Sequence, residues 1–324
     1  MSEPLKVVLN FGFPDSIMDQ IRPLAEVVYH EDRSAFKSAL ADAEIVCGFL
    51  PDTNWRELAP HLRWLQNPGA GVDRLLGSSI LAPDSGVIVT TASGVHIYSI
   101  SEYVFGSMLM FNRSWPQMVE LQAKHIWPHF DNNHQLRERE LVDHTLGIIG
   151  LGSIGRRIAQ LGRAFGMRIL ASRSSAKAGD SDPDVDRLFP SHDLHEMLGL
   201  SDYLVIAVPL TPQTKHLIAE PELRAMTPHS YLVNIARGDV VDEAALIRAL
   251  QEGWIGGAGL DVTSPEPLPP ESPLYSLPNV ILTPHISGAS ERYAERLGTL
   301  FVDNLHRYRS GQPLRNRVDS QRGY

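Results

Sequence analysis

The sequence predicts an α/β protein made of two doubly wound parallel-sheet domains. Short apolar runs rich in β-branched residues alternate with stretches of helical period over about the first ninety residues, and the same alternation starts again near residue 145. Continuous apolar strands separated by helices are typical of parallel sheets that are covered on both faces. The length of 324 residues agrees with two domains, at roughly 150 residues for each.

Five strands and two helices are predicted in the first domain. Each predicted strand is a short apolar run, and each helix repeats its apolar residues at helical spacing. The strands are residues 6–9, 27–29, 43–47, 63–66 and 87–90, and the helices lie near 15–26 and 34–41. A longer helix is predicted at about 100–112. Residues 113–142 are aromatic and rich in His and Asn, and their periodicity predicts no element.

Six further buried strands predict the second domain. They are residues 146–149, 168–171, 203–208, 231–235, 257–261 and 280–283. The helical stretch at about 289–309 is too short to fold alone, so we expect this C-terminal helix to return to the first domain. The predicted domains are residues 1–98 completed by 289–324, and residues 99–288. The polar tail after this helix is expected to be poorly ordered.

Composition and charge exclude several classes of protein. Lys and Arg total 29 against 38 Asp and Glu, and the net charge of −9 disfavours binding to nucleic acid or to an anionic membrane. No apolar run approaches the roughly 18 residues of a membrane span, and the start lacks the pattern of a signal peptide. Cys47 is the only cysteine, and no His or acid cluster has metal-ligand spacing. We therefore expect a cytoplasmic protein without a metal.

A glycine-rich turn predicts a dinucleotide site. The residues from 150 to 155 read Gly-Leu-Gly-Ser-Ile-Gly, directly after the strand at 146–149 and before a helical pattern. In this context the glycines allow a tight turn, a close approach of backbone to a pyrophosphate, and close packing of helix on strand. Free N–H groups at the start of the helix would face the phosphates. The predicted contacts are Gly150, Gly152, Ser153, Ile154 and Gly155.

The end of the strand at 168–171 indicates which dinucleotide is bound. Enzymes that use NAD place an acid about 20 residues after the glycines, where it accepts from the ribose 2′-hydroxyl. This sequence has Arg173 there, between Ser172 and Ser174, and no acid in the same window. Arginine and serine would bind a 2′-phosphate by charge-assisted hydrogen bonds. NADP(H) is therefore the predicted cofactor. In the alternative, Arg173 only stacks on the adenine, and both NADP(H) and NAD(H) act as cofactors.

Three charged residues follow successive strands of the second domain. Arg237 follows the strand at 231–235, Glu266 the strand at 257–261, and His285 the strand at 280–283. Open α/β sheets bind their ligands beyond the carboxyl ends of their strands, so these side chains are candidates for one site.

Three blocks around these residues resemble the D-isomer-specific 2-hydroxyacid dehydrogenases. They are Asn-Ile-Ala-Arg-Gly at 234–238, Asp-Val-Thr-Ser-Pro-Glu-Pro at 261–267 and Thr-Pro-His-Ile-Ser-Gly at 283–288, in the order of the family. The resemblance extends to Ala-Gly-Val-Asp at 70–73 and covers nearly the whole chain. Within the family, the Ser-Arg-Ser at 172–174 is most similar to the NADPH-dependent glyoxylate/hydroxypyruvate reductases. Thr263 and Ser287 depart from the common pattern, which concerns substrate preference and not reaction type.

The resemblance implies a reaction that agrees with the chemistry of these three residues. Arg237 would hold the carboxylate and keto oxygen of a small 2-keto acid, because a guanidinium is a planar and permanently charged fork. His285 would protonate the developing alkoxide, and act as the base in the reverse direction. Glu266 would hydrogen-bond the other imidazole nitrogen and stabilise the imidazolium. The expected activity is therefore an NADP(H)-dependent reductase of 2-keto acids.

Further contacts are implied by the same resemblance. Residues 1–98 with 289–324 would form the substrate domain, and residues 99–288 the dinucleotide-binding domain. The implied substrate contacts are Leu50 and the backbone N–H groups of Ala70 and Gly71. The remaining implied cofactor contacts are Val208, Pro209, Thr214, Ile235, Ala236, Asp261 and Gly288, and Arg237 and His285 would contact the cofactor as well as the substrate. In the family's usual homodimer, the helix at 100–112 and the aromatic stretch 113–142 would form the interface. Trp127 would either be buried in this interface or reach the active site of the neighbouring subunit.

The sequence leaves two other functions open. The chain could be an NAD(H)-dependent 2-hydroxyacid or phosphoglycerate dehydrogenase, although the Arg173 signal argues against it. Relatives of this fold also act as dinucleotide-sensing scaffolds that bind partner proteins, and the retained Arg, Glu and His do not separate a scaffold from an enzyme. Activity with any 2-keto acid would separate them.

Overall fold

The chain divides into two compact units in a computed structural model that describes residues 5–50, 54–129, 136 and 138–319. The first unit combines Met1–His96 with Ala289–Tyr324, and the second is Ile97–Gly288. Each unit contains one parallel sheet. The predicted fold class, with two parallel-sheet α/β domains, is confirmed.

The first unit is built on a five-stranded parallel sheet. Its strands are β1 (Leu5–Leu9), β2 (Ala25–Tyr29), β3 (Ile45–Cys47), β4 (Trp64–Gln66) and β5 (Ile88–Thr90), and its N-terminal helices are α1 (Asp15–Ile21), α2 (Arg33–Ala39) and α3 (Trp55–Leu58). The strand order is β2-β1-β3-β4-β5. Val7 and Leu9 pack in one apolar cluster and Val8 in another. Because successive side chains of a strand point to opposite faces, both faces of the sheet are covered.

The second unit has a seven-stranded parallel sheet. Its helices are α4 (Ile97–Asn112), α5 (Trp115–Ala123), α6 (Ser153–Ala164), α7 (Leu194–Gly199), α8 (Glu220–Ala225) and α9 (Glu243–Gln251), and its strands are β6 (Thr145–Ile149), β7 (Arg168–Ser172), β8 (Arg187–Phe189), β9 (Tyr203–Ile206), β10 (Tyr231–Asn234), β11 (Gly257–Leu260) and β12 (Val280–Leu282). The order β12-β11-β10-β9-β6-β7-β8 reverses direction between β6 and β9. Such a reversal opens a crevice at the carboxyl ends of the two strands, where open α/β sheets bind ligands.

The last helix, α10 (Tyr293–Arg309), belongs to the first unit, as expected from its length. Its apolar side is buried, and the Phe301 ring stacks on the Trp64 ring of β4 with 5.1 Å between centroids. Gly298 allows this helix to approach α1, since a Cβ at that position would lie 2.7 Å from the Ile17 side chain. The sheet of the first unit is thus covered by a helix that the chain reaches only after the whole second unit.

The tail after α10 is more ordered than predicted. The N–H of Val318 donates to the carbonyl of Val89 at 2.8 Å, and the N–H of Thr91 donates to the carbonyl of Asn316 at 3.0 Å. These bonds pair the tail with the edge strand β5, whose free backbone groups it satisfies. The expectation of a poorly ordered tail is therefore wrong up to residue 319; residues 320–324 lie outside the described part.

Some elements differ from the sequence prediction. The helix predicted near 15–26 ends at Ile21, because Pro23 cannot donate the hydrogen bond that would continue it. Strand β8 was not predicted, since it is three residues long in a polar stretch. Part of the unassigned segment 113–142 forms α5, while Phe130 and its neighbours up to 135, and residue 137, lie outside the described residues. None of the helices in the described ranges combines the length and the apolarity needed to cross a bilayer.

Candidate active site

The glycine turn lies at the crevice between β6 and β9. Gly150 has a backbone φ of +101°, and a Cβ there would lie 2.5 Å from the carbonyl oxygen of Ala207, just after β9. A Cβ on Gly155 would lie 2.1 Å from the carbonyl oxygen of Gly150. Both positions therefore require glycine, one for the turn and one for the packing of α6 on the strand.

Gly152 differs from these two glycines because it faces open space. A Cβ at this position would meet no atom within 4 Å. Ser153 and Ile154 follow it in the first turn of the 12-residue helix α6, where backbone N–H groups have no partner within the helix. An open backbone at a helix N-terminus fits the pyrophosphate of a dinucleotide. The residues of this turn therefore fit NAD(P) on packing grounds.

An acid that the sequence interpretation missed lies in contact with Arg173, just after the end of β7. Ser172 is buried, Ser174 is exposed, and Arg173 Nη1 lies 3.5 Å from Asp182 Oδ2. The Asp182 carboxylate also accepts hydrogen bonds from both terminal nitrogens of Arg156, at 2.8 and 2.9 Å. Asp182 lies in the loop between β7 and β8, beyond the spacing at which an acid is normally sought. The acidic run at 180–186 was the available signal.

The other predicted cofactor contacts of the second unit follow β9 and β10. The Thr214 hydroxyl donates to the carbonyl of Pro209 at 2.6 Å, which closes the loop that Val208 begins. Ile235 and Ala236 are buried directly after β10. The carbonyl of Gly288 accepts from the Ser99 hydroxyl at 3.2 Å.

Glu266 and His285 form a hydrogen-bonded pair. His285 Nδ1 lies 2.9 Å from Glu266 Oε2, and the other carboxylate oxygen accepts from the Thr263 N–H at 3.3 Å. The two side chains are 43% and 28% exposed, respectively, so the pair is reached by solvent. Since β10, β11 and β12 are neighbours in the sheet, Arg237, Glu266 and His285 follow the carboxyl ends of three adjacent parallel strands.

The backbone of His285 has an uncommon conformation that Asp261 stabilises. His285 has a φ of +54°, in the left-handed region. Its N–H donates to the carbonyl of Asp261 at 2.8 Å, and the Asp261 carboxylate accepts from the N–H groups of Ile286 and Ser287 at 2.8 and 2.9 Å. The Asp261 residue is only 1% exposed. Asp261, which was expected to contact the cofactor, fixes the turn that carries His285.

A hydroxyl pair extends this network to helix α4. The Thr283 hydroxyl lies 2.7 Å from Asp261 Oδ1 and 2.8 Å from the Tyr103 hydroxyl oxygen. Burial raises the pKa of Tyr103 to about 12, so its hydroxyl stays protonated at neutral pH. Sequence analysis missed Tyr103, because its partners are far away in the chain.

The loops that carry Arg237 and Glu266 are in direct contact. Arg237 Nη1 donates to the carbonyl of Ala236 at 2.7 Å. The next residue, Gly238, packs so tightly on the 263–264 backbone that a Cβ would lie 1.9 Å from the Thr263 carbonyl oxygen. A side chain at 238 would separate the two loops, so glycine is required there for their close approach.

Two carboxylates anchor the Glu266 loop from the other side. The N–H of Ser264 donates to Glu243 Oε2 at 2.9 Å, and its hydroxyl donates to Asp239 Oδ1 at 2.7 Å. Burial, with a smaller contribution from Asp239, raises the pKa of Glu243 above its ordinary value. Both carboxylates were missed, although they lie within seven positions of Arg237 in the sequence.

The predicted substrate contacts of the first unit lie after β3 and β4. Leu50 is 1% exposed. The Asn67 side-chain amide donates to the carbonyls of Gly69 and Gly71 at 3.0 and 2.9 Å, which fixes the loop between them. Within the described ranges, the N–H groups of Ala70 and Gly71 donate to no other residue. Two backbone N–H groups in a fixed loop that have no acceptor among the described residues can bind an anion.

Two further expectations concern metals and Trp127. The described residues contain no group of three or more His, Cys, Asp or Glu that could hold a metal ion. Trp127 is 92% exposed.

A dinucleotide turn at a sheet reversal, with a His–Glu pair beyond neighbouring strands, defines a nicotinamide-dependent oxidoreductase. The family model described as "D-isomer specific 2-hydroxyacid dehydrogenase, NAD binding domain" matches residues 105–287. The chain belongs to this family of NAD(P)-dependent oxidoreductases that act on CH–OH groups. The resemblance inferred from the sequence is thus confirmed.

Individual relatives agree with this assignment. A glyoxylate reductase of Thermococcus gammatolerans is 36% identical, over 95% of this chain and 93% of the relative. A family member of Aeromonas salmonicida has a TM-score of 0.83 at 30% identity, covering 98% of this chain and all of its own. An NADPH-dependent glyoxylate/hydroxypyruvate reductase of Sinorhizobium meliloti, solved with NADP and sulfate, has a TM-score of 0.81 at 26% identity, covering 99% and 100%.

Proposed function

We propose that this protein is an NADP(H)-dependent 2-keto acid reductase for small substrates of the glyoxylate and hydroxypyruvate type. The observation that carries the proposal is the 2.9 Å hydrogen bond between His285 Nδ1 and Glu266 Oε2. A paired imidazole beyond the strands of a dinucleotide sheet is suited to donate a proton during carbonyl reduction. The names of the archaeal and Sinorhizobium relatives support the same substrate class.

His285 is the proposed proton donor. Glu266 occupies Nδ1, so Nε2 is the ring nitrogen that holds the proton for the keto oxygen. The carboxylate favours the imidazolium and fixes the tautomer of the neutral ring after the proton has left. Asp261 holds the backbone of His285 in its left-handed conformation, which orients the ring before substrate binds.

Arg237 is the proposed anchor for the substrate. A guanidinium can bind a carboxylate in a bidentate manner and polarise the adjacent keto oxygen. The backbone N–H groups of Ala70 and Gly71, which donate to no residue of the described ranges, are the proposed partners of the substrate carboxylate in the first unit, and buried Leu50 would contact the substrate's side chain.

The proposed cofactor contacts begin at the glycine turn. The open backbone at Gly152 and the first turn of α6 would receive the pyrophosphate, and Arg173 with Ser172 and Ser174 would read the 2′-phosphate. When bound, the reduced dinucleotide supplies the hydride for the keto carbon.

The test is oxidation of NADPH and, separately, NADH, followed by the absorbance of the reduced nicotinamide. The substrates are glyoxylate, hydroxypyruvate, pyruvate, phenylpyruvate and a branched 2-keto acid. Turnover of glyoxylate or hydroxypyruvate with NADPH is expected. Turnover with NADH alone would contradict the cofactor assignment, and cofactor binding without any turnover would favour the scaffold function.

A variant pair tests the role of His285. His285→Asn should lose most of the turnover. The matched control is His195→Asn, because His195 also pairs with a glutamate in the second unit, with Nε2 2.8 Å from Glu222 Oε1. Equal rates for both variants would remove His285 from the mechanism.

We also propose that the protein is a homodimer in which α5 lies at the interface. This helix contains no buried residue, and Trp115 and Val119 expose more than half of their surface. The exposed Trp127 follows it. Large exposed apolar side chains in sequence proximity are typical of interfaces. Light scattering should give the mass of two chains; a monomer mass would contradict the proposal.

A further inference from the structure

Three charged side chains meet beside the end of β7, and we refer to Arg156, Arg173 and Asp182 as the β7 charge triad. Arg156 donates to Asp182 through both terminal nitrogens, at 2.8 and 2.9 Å. Arg173 approaches the same carboxylate with Nη1 at 3.5 Å. A second acid, Asp184, contacts Arg156. A single buried carboxylate is thus shared by two arginines.

Asp182 is the fixed member of the triad. Its side chain is only 7% exposed, and it also accepts the N–H of Asp184 at 3.1 Å. Hydrogen bonds from Arg156 hold the pKa of Asp182 below its ordinary value, so the carboxylate is charged at neutral pH. Both oxygens already receive donors from the protein. Asp182 is therefore poorly placed to accept from a ribose hydroxyl, which is the usual task of an acid in this region.

Arg173 is the loosely held member. Its contact with Asp182 is at the limit of hydrogen-bond distance, while Arg156 takes the two short bonds. Arg173 Nε is buried and has no hydrogen-bond partner in the described ranges. The guanidinium can therefore turn toward an incoming anion without losing a strong bond. It does so close to the negative charge of Asp182, which weakens its attraction for that anion.

We propose that Asp182 is a specificity-determining residue that sets how strongly the chain prefers NADP(H) to NAD(H). This inference rests on the proposed function, in which Arg173 reads the 2′-phosphate. The carboxylate pairs with the Arg173 guanidinium and therefore competes with a 2′-phosphate for its positive charge, whereas a neutral 2′-hydroxyl does not depend on that charge. The negative charge of Asp182 therefore lowers the affinity for NADP(H) and leaves the affinity for NAD(H) nearly unchanged.

The test measures dissociation constants of NADPH and NADH by calorimetry, without substrate and therefore without turnover. Asp182→Asn removes the charge and keeps the shape. We expect about a five- to tenfold lower Kd for NADPH, a change below about twofold for NADH, and a larger effect at low salt. Asp184→Asn is the matched control, because it removes one charge from the same loop and from the same Arg156, and among the contacts of the described residues no ion pair joins Asp184 to Arg173. This control should change the ratio of the two constants by less than about twofold.

A second background shows whether the effect passes through Arg173. In Arg173→Gln, the further change Asp182→Asn should no longer tighten NADPH, because the arginine that it opposes is gone. The inference is overturned if Asp182→Asn leaves the NADPH-to-NADH ratio unchanged, if Asp184→Asn shifts it equally, or if the shift persists in Arg173→Gln.

The inference and the proposed function fail in different ways. If the unaltered chain binds NADPH no more tightly than NADH and Arg173→Gln changes neither constant, then the cofactor assignment itself is wrong and the inference falls with it. If Arg173→Gln abolishes a clear NADPH preference but Asp182→Asn does not raise it, only the inference is wrong. If Asp182→Asn fails to fold, the double variant Arg156→Gln with Asp182→Asn replaces it. This variant removes both members of the ion pair, so neither of these two charges is left without its partner. It should still lower the Kd for NADPH.

Discussion

The N–H of His285 donates to the backbone carbonyl of Asp261 at 2.8 Å, so the proposed proton donor is held by the end of the neighbouring strand β11. The Asp261 side chain continues the same task, because it accepts from the next two backbone N–H groups. Orientation of the imidazole thus comes from two sides: Asp261 holds its backbone, and Glu266 holds its ring.

Glu266→Gln should lower kcat by about 10²–10⁴-fold with a smaller change in KM. The amide keeps the shape of the side chain but no longer favours the imidazolium form of His285. Steady-state kinetics with the preferred keto acid measures the effect. Glu222→Gln, which alters the His195 pair in the same manner, serves as the control. A loss in the control as large as in Glu266→Gln would show that the effect is structural.

Arg237→Lys should raise KM for the keto acid and also lower kcat. Lysine keeps the charge but is a point donor that cannot bind a carboxylate as a planar fork. Initial rates over a range of substrate concentrations separate the two constants. Arg224→Lys, at a surface pair with Glu220, should leave both constants unchanged. Retention of the original KM by Arg237→Lys would contradict the anchoring role.

Tyr103→Phe should reduce the free energy of unfolding at neutral pH by about 1 kcal/mol, through loss of its hydroxyl contact with Thr283. The tyrosine also makes the chain sensitive to alkaline pH. Burial raises the pKa of Tyr103 from 10 to about 12, so between these values the unfolded chain loses this proton while the folded chain retains it. Stability from this group is therefore present below pH 10 and is lost as the pH rises toward 12.

Denaturant unfolding at several pH values tests this prediction. The advantage of the unaltered chain over Tyr103→Phe should shrink from pH 9 upward by an amount of order 1 kcal/mol. A constant difference across the range would show that the hydroxyl has no raised pKa in the folded protein.

Gly152→Ala should weaken cofactor binding with little effect on folding, whereas Gly155→Ala should destabilise the fold. A Cβ at 152 meets no protein atom, so folding stability should change by less than about 0.5 kcal/mol while the Kd of the dinucleotide rises. A Cβ at 155 would collide with the Gly150 carbonyl at 2.1 Å, so Gly155→Ala should lower the thermal midpoint. Calorimetry and thermal unfolding measure the two properties. Unchanged cofactor affinity in Gly152→Ala would mean that the pyrophosphate is not bound at this turn.

The parts of the fold that were predictable are those encoded over short stretches of sequence. Apolar runs identified six strands of the larger sheet, and the glycine spacing located the turn after β6. Residues at successive strand ends were predicted to share one edge, and β10, β11 and β12 are indeed neighbours.

What could not be predicted depends on how distant loops fold back. Strand β8 is too short to show a period, and its sheet position depends on the loop that also brings Asp182 to Arg156. The contact between Tyr103 and Thr283 joins residues 180 positions apart, and neither has a motif that points to the other. The side chains of Asp239 and Glu243 reach Ser264 through such a long-range contact as well. Side-chain pairing of this kind is decided by tertiary packing and not by local propensity.

The position of α10 in the first unit has a consequence for biosynthesis. The second unit is one continuous segment, Ile97–Gly288, whereas the first unit needs residues from both sides of it. A chain that emerges from the ribosome can therefore complete the second unit while Trp64 still lacks the ring of Phe301 that stacks on it. The side of the first sheet that α10 covers stays exposed until translation has passed α10, and transiently exposed apolar surface of this kind is prone to aggregation and is the reason chaperones exist.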